Sequence, residues 1–229
     1  MSERDVFILS ERALAAVIDQ VADDQWGEVK PEWFQTGSQG DASLREIVNY
    51  HAFDLAWVPD VLAGKTIAEV GNAHDHVKTD PACDYRPYSD AAIAAAEQLD
   101  DPDKIVHLSY GDFTAREYLK HVTSFRGFRA YDIARWIEVS TELPHDLVQG
   151  MWDELAPEID AWRAMGVYGD AVPVPDDASL QDRLLGLVGR DPRRGRSAHR
   201  VGPLRARAPS GGRGGGRPPR PEPARRWRS

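Results

Sequence analysis

Residues 43–64 read Ser-Leu-Arg-Glu-Ile-Val-Asn-Tyr-His-Ala-Phe-Asp-Leu-Ala-Trp-Val-Pro-Asp-Val-Leu-Ala-Gly. Ser43 and Glu46 stand at the spacing where a hydroxyl and a carboxylate cap each other's backbone N–H groups, so a helix starts here. Leu44, Ile47, Val48, Leu55, Val58 and Leu62 follow at helical intervals and make one face apolar. Pro59 has no N–H to donate and is expected to kink the helix before Gly64. His51 falls on the apolar stripe. A histidine carried inward this way must be hydrogen-bonded or bound to something.

The same pattern extends outward from that helix. Residues 6–22 form an earlier one, with Leu9, Leu14, Val17, Ile18 and Val21 on one face. A loop holding Pro31 and the stretch from Gly37 to Gly40 joins the two. Residues 89–99 make an Ala-rich helix, and Thr114-Ala115-Arg116-Glu117 is a second capping box that opens a helix to about Ile137. Residues 144–164 point Leu147, Met151, Trp152, Leu155, Ile159 and Trp162 inward. After a Gly/Pro connector from Gly166 to Pro175, residues 178–188 form a short closing helix. Ile105 to Tyr110 is the sole strand candidate, and no internal repeat is visible. Long amphipathic helices without strands bury their apolar faces against one another. The expected fold is all-α, an antiparallel four-helix bundle with a short extra C-terminal helix.

Charge divides the 229 residues into two parts. Residues 191–229 hold twelve Arg against Asp191 and Glu222, whereas the first 190 carry 16 basic and 35 acidic side chains, a net −19. An acidic body repels nucleic acid and anionic membrane, which excludes both as partners of the folded domain. Arg, Gly and Pro supply 26 of the 39 residues of the tail, too little apolar surface to offset the entropy of ordering it. The domain is therefore expected to span 1–190, followed by a disordered basic tail. That tail reads as an RNA-gripping arm, as a polybasic membrane arm, or as the product of a shifted reading frame in a GC-rich gene. The N-terminus carries acids where a signal peptide carries only positive charge, and no run of the roughly 18 apolar residues of a membrane helix is present. The single cysteine, Cys83, leaves no internal disulfide and no Cys-rich zinc motif, which fits a cytoplasmic protein.

Few residues stand out as carriers of chemistry. No phosphate-binding Gly-rich loop and no nucleophile elbow occurs. On the helix from Thr114, the inward stripe is Tyr118, Val122, Phe125, Arg129, Ile133 and Trp136, and Arg129 interrupts an otherwise apolar row. A guanidinium never deprotonates in a protein, so an inward one needs an anion. Asp132 is the local candidate, and a ligand carboxylate is the alternative. His121 and Asp132 flank the stripe, while Asp54 sits one turn beyond His51 and is placed to orient its imidazole. His74 and His76 bracket Asp75 in a polar loop, and neither His107 nor His145 has a partner that the sequence identifies.

The opening helix, Leu44-Arg45-Glu46-Ile47-Val48-Asn49-Tyr50-His51 and Leu62-Ala63-Gly64 resemble the DinB-like helix bundles. So do Phe128-Arg129-Ala130-Tyr131-Asp132-Ile133-Ala134-Arg135 and the ending from Val172-Pro173-Val174-Pro175 through Leu185 to Gly189-Arg190-Asp191-Pro192. The nearest branch is that of the metal-binding domain of mycothiol-dependent maleylpyruvate isomerase, and the similarity covers about residues 6–192. It implies an up-and-down four-helix bundle binding a divalent metal, commonly zinc or nickel, through one histidine on the second helix and a pair four residues apart on a later one. It also implies a low-molecular-weight thiol such as mycothiol as cofactor. His51 matches the first ligand, whereas the other two positions fall on Phe125 and Arg129. His121 and Asp54 are the remaining donors, so the metal candidates are His51, His121 and Asp54.

Two functions follow for a small-molecule site. One is a thiol-dependent isomerase or transferase with a degenerate metal site. The other is a metal-free, non-catalytic bundle that binds a carboxylate through Arg129 and His51, with Asp132 beside them. An interaction protein without such a site is the third reading, and a homodimer is compatible with each. All three expect His51, Phe125 and Arg129 inside the bundle.

Overall fold

A computed structural model describes residues 1–34, 40–80 and 84–195. Gly37, Cys83 and the tail beyond Gly195 lie outside the described residues. The compact unit runs from Met1 to Arg196. Pro192 is buried and opens a short 3-10 turn, Pro192–Gly195.

The chain is mostly helical. In order come α1 (Glu3–Ile18), α2 (Leu44–Leu62), the one-turn α3 (Ile67–Val70), a 3-10 turn (Asp75–Thr79) and α4 (Arg86–Glu97). Strands β1 (Ile105–Leu108) and β2 (Gly111–Thr114) precede α5 (Ala115–Trp136), α6 (His145–Leu155), α7 (Ile159–Ala164) and α8 (Leu180–Leu187). No helix among the described residues is long and apolar enough to cross a membrane.

Both capping boxes form as their spacing requires. Ser43 Oγ accepts from the Glu46 N–H at 3.3 Å while Glu46 Oε2 accepts from the Ser43 N–H at 2.7 Å, and Thr114 and Glu117 do the same. Ser2 and Asp5 make another, which starts α1 earlier than residue 6, and its last turn ends at Ile18, before Val21. Pro59 does not end α2, which continues to Leu62. Pro157 does interrupt the helix expected over 144–164: α6 and α7 are separate, since the proline ring removes an N–H and blocks the preceding turn.

The strand expected over 105–110 is half of a hairpin. β1 pairs antiparallel with β2 in the register Ile105↔Thr114 to Leu108↔Gly111, with Ser109 and Tyr110 at the turn. Gly-Asp-Phe-Thr lacks apolar alternation, so β2 carries no strand signal of its own. The described residues are helix-rich, as expected, with one small two-stranded sheet beside the helices.

Helix α1 packs along α5 and also touches α4 and α6, while α2 packs on α4 and β1. The buried face of α1 holds Leu14, Val17 and Ile18, as expected, and extends to Val6, Phe7, Ser10 and Glu11, while Leu9 is only partly buried. Close approach requires glycine at the α1–α6 crossing, where a Cβ on Gly150 would stand 2.6 Å from Val6 Cγ2. The core has two clusters. One gathers α1, α2, α4 and α5, and the other joins α6 and α8 to Val6, Phe128 and Tyr131.

Candidate functional site

Helices α2 and α5 and the hairpin enclose a cavity of about 610 Å³. Helical spacing delivers the residues: His51, Asp54 and Trp57 from α2, and Tyr118, His121, Val122, Phe125, Arg126 and Arg129 from α5. The hairpin adds His107, Leu108, Ser109 and Tyr110. Of the residues expected inside, His51 and Arg129 are buried, at 6% and 8% exposure. Phe125 is 55% exposed and stands at the mouth. The α5 stripe faces the cavity there rather than the core, which corrects its expected interior position.

His51 Nδ1 is buried without a hydrogen-bond partner among the described residues. Burial, then the charges of Arg129 and Arg126, hold its pKa well below the usual imidazole value, so the ring is neutral. Asp54 accepts no hydrogen bond among the described residues. Burial pushes its carboxyl up to about 6, against the pull of Arg126 and Lys78. Tyr118 is buried beside them and its phenol stays protonated, its pKa raised by burial.

The most buried charge at the site is one that the sequence reading missed. Arg126, 1% exposed, places Nε 3.0 Å from Oε2 of the fully buried Glu11, and Glu11 Oε1 accepts from the Tyr85 hydroxyl at 2.8 Å. Its Nη2 is buried without a hydrogen-bond partner among the described residues. The signal lay on α1. Glu11 falls between Phe7 and Leu14 at helical spacing, and a carboxylate inside an apolar face implies a buried cation.

Arg129 Nη1 lies 3.7 Å from Asp132 Oδ2, and its guanidinium sits over the Phe34 ring at 4.5 Å. Asp132 is bound more closely elsewhere. Arg190 grips it with Nε at 3.1 Å and Nη2 at 2.9 Å, in the forked geometry that suits a carboxylate. Asp132 does not line the cavity, so of the three expected ligand-binding residues the cavity brings together Arg129 and His51. Burial lowers the pKa of Arg129, Asp132 raises it, and Arg190 lowers it again.

The metal candidates His51, His121 and Asp54 all line the cavity. Among the described residues, however, no three His, Cys, Asp or Glu side chains are grouped to hold a metal ion. Aromatic groups surround His121: Tyr110 Oη lies 3.3 Å from its Nδ1, and Phe113 and Trp162 meet it edge-on at 5.0 and 5.6 Å. The other histidines have separate partners. His74 Nε2 pairs with Asp60 at 2.8 Å, His76 Nδ1 with the Ala73 carbonyl at 3.0 Å, and His107 Nδ1 with Asp112 at 2.8 Å. His145 is exposed beside Asp146.

The raised Asp54 carboxyl makes stability depend on pH with a definite sign. Its pKa in the fold, about 6, lies above the 3.8 of the free side chain, so its contribution is complete below 3.8 and is lost as pH rises through 6. Asp54→Asn keeps the neutral form at every pH. It is expected to raise stability by about 3 kcal/mol at pH 8 and by almost nothing at pH 4. Urea denaturation of both proteins at the two pH values checks this, and an equal effect at both would remove the buried charge as its cause.

The chain matches no protein-family profile, no characterised protein and no solved structure.

Proposed function

We propose that this protein binds a small carboxylate ligand in the cavity between α2 and α5, with Arg129 and His51 as head-group donors and Arg126 beside them. The observation that carries the reading is the pair of buried guanidiniums lining one cavity, flanking a neutral imidazole. Arg126 is paired with the fully buried Glu11, and Arg129 and Arg190 lie beside Asp132, while Asp54 lines the same cavity. A guanidinium matches a carboxylate in bidentate geometry, and a neutral histidine adds a donor without a counter-ion. On this reading the long helices form the DinB-like antiparallel four-helix bundle that the sequence resembles, with Arg129 supplying the positive charge that a divalent metal supplies there.

Titration calorimetry with benzoate at pH 6.5 tests the proposal. The expected result is saturable binding at one site, absent for benzyl alcohol. Equal binding of the alcohol would reject the anion site.

A second reading, the thiol-dependent isomerase or transferase using mycothiol or a similar thiol, is favoured by one observation: His51, at the implied first ligand position, does line the cavity. Metal analysis of freshly purified protein separates the two. Zinc or nickel held tightly at one per chain and lost in His51→Ala would favour the enzyme.

A further inference from the structure

The cavity is graded from floor to mouth. Arg126, Arg129 and His51 at the floor are 1–8% exposed, whereas Tyr50, Ile67, Tyr110 and Phe125 around the opening are 45–61% exposed. These four belong to a short set of large apolar side chains left to solvent among the described residues. Their clustering at one opening is therefore not the scatter of single apolar residues that any surface shows. Between floor and rim the wall is apolar, with Phe53, Trp57, Val61 and Val122. A volume of about 610 Å³ lies in the range of pockets for drug-sized molecules, far more than a bare carboxylate fills.

We propose that the ligand is an amphiphilic monocarboxylate, a fatty or arylalkanoic acid, with its head on the Arg126–Arg129–His51 floor and its apolar body running out to the rim of Tyr50, Ile67, Tyr110 and Phe125. This rests on the carboxylate-binding reading above and adds the class of ligand. The orientation follows from cost. The charged head reaches the part of the cavity where, among the described residues, buried cations offset its desolvation, and the body covers side chains that otherwise face water. A head-out orientation would set hydrocarbon against His51 Nδ1, which has no hydrogen-bond partner among the described residues.

The experiment is a binding series on the full chain: butanoate, hexanoate, octanoate and decanoate, with 1-octanol as the neutral control. Each added methylene should tighten binding about three- to fourfold, as expected for burying one such group, and the gain should continue through decanoate. Phe125→Ser, at a solvent-exposed position the fold does not need, should flatten the step from hexanoate to decanoate. A flat series with 1-octanol excluded would overturn the amphiphile and leave the carboxylate site standing. If 1-octanol binds as tightly as octanoate, the cation floor plays no part and both readings fall. An unchanged series in Phe125→Ser would remove the rim from the binding surface and overturn the proposed orientation.

Discussion

Arg126→Met is expected to lower the stability of the domain by about 3–5 kcal/mol, because it leaves the Glu11 carboxylate buried without its counter-charge. Both partners are sealed from water, so neither can recover solvation when the other is removed. Glu11→Leu should cost a similar amount for the mirror-image reason. The triple replacement Arg126→Met, Glu11→Leu and Tyr85→Phe removes the ion pair together with the hydroxyl that donates to Glu11. It should recover most of the loss, since replacing a buried ion pair by apolar groups of similar volume is often neutral or stabilising. Urea denaturation midpoints measure all four proteins. A triple variant as unstable as Arg126→Met would mean that the destabilisation comes from packing around α5 and not from the orphaned charge.

Arg129→Phe should separate stability from binding. Asp132 keeps its bidentate partner Arg190 in this variant, so no carboxylate is left alone in the core, and the loss should stay near 1 kcal/mol. Benzoate affinity should fall about a hundredfold, the order expected for losing a charge-assisted, forked pair from a buried site. Calorimetry and thermal denaturation on the same preparation read both quantities. A loss of several kcal/mol with binding retained would make Arg129 a structural residue and place the head-group on Arg126 alone. Asp132→Asn gives the contrasting behaviour, as it removes the carboxylate shared by two buried guanidiniums.

Much of the helical framework was readable without the structure. The Ser43–Glu46 and Thr114–Glu117 boxes are contacts between residues three apart, so their chemistry is complete within the local sequence. His51 followed the apolar stripe of α2 inward for the same reason. The breaks came where distant parts of the chain compete. The 144–164 helix divided at Pro157, a local signal outweighed in the reading by a continuous apolar stripe. The α5 stripe placed Phe125 inside, but nothing in α5 alone shows that a cavity, and not another helix, faces that position.

Sequence alone thus determined that this chain is helix-rich, where α2 and α5 begin, and that a histidine and an arginine enter its interior. Tertiary structure alone decided which charges are neighbours. Asp132 had Arg129 one turn away, yet it binds Arg190 across 58 positions of sequence, and Arg126 meets Glu11 only because α1 lies along α5. Helix starts depend on hydrogen bonds between near neighbours in the chain. The pairing of buried charges depends on which faces the packed helices bring together, and each such charge must take whichever counter-charge the packing leaves within reach.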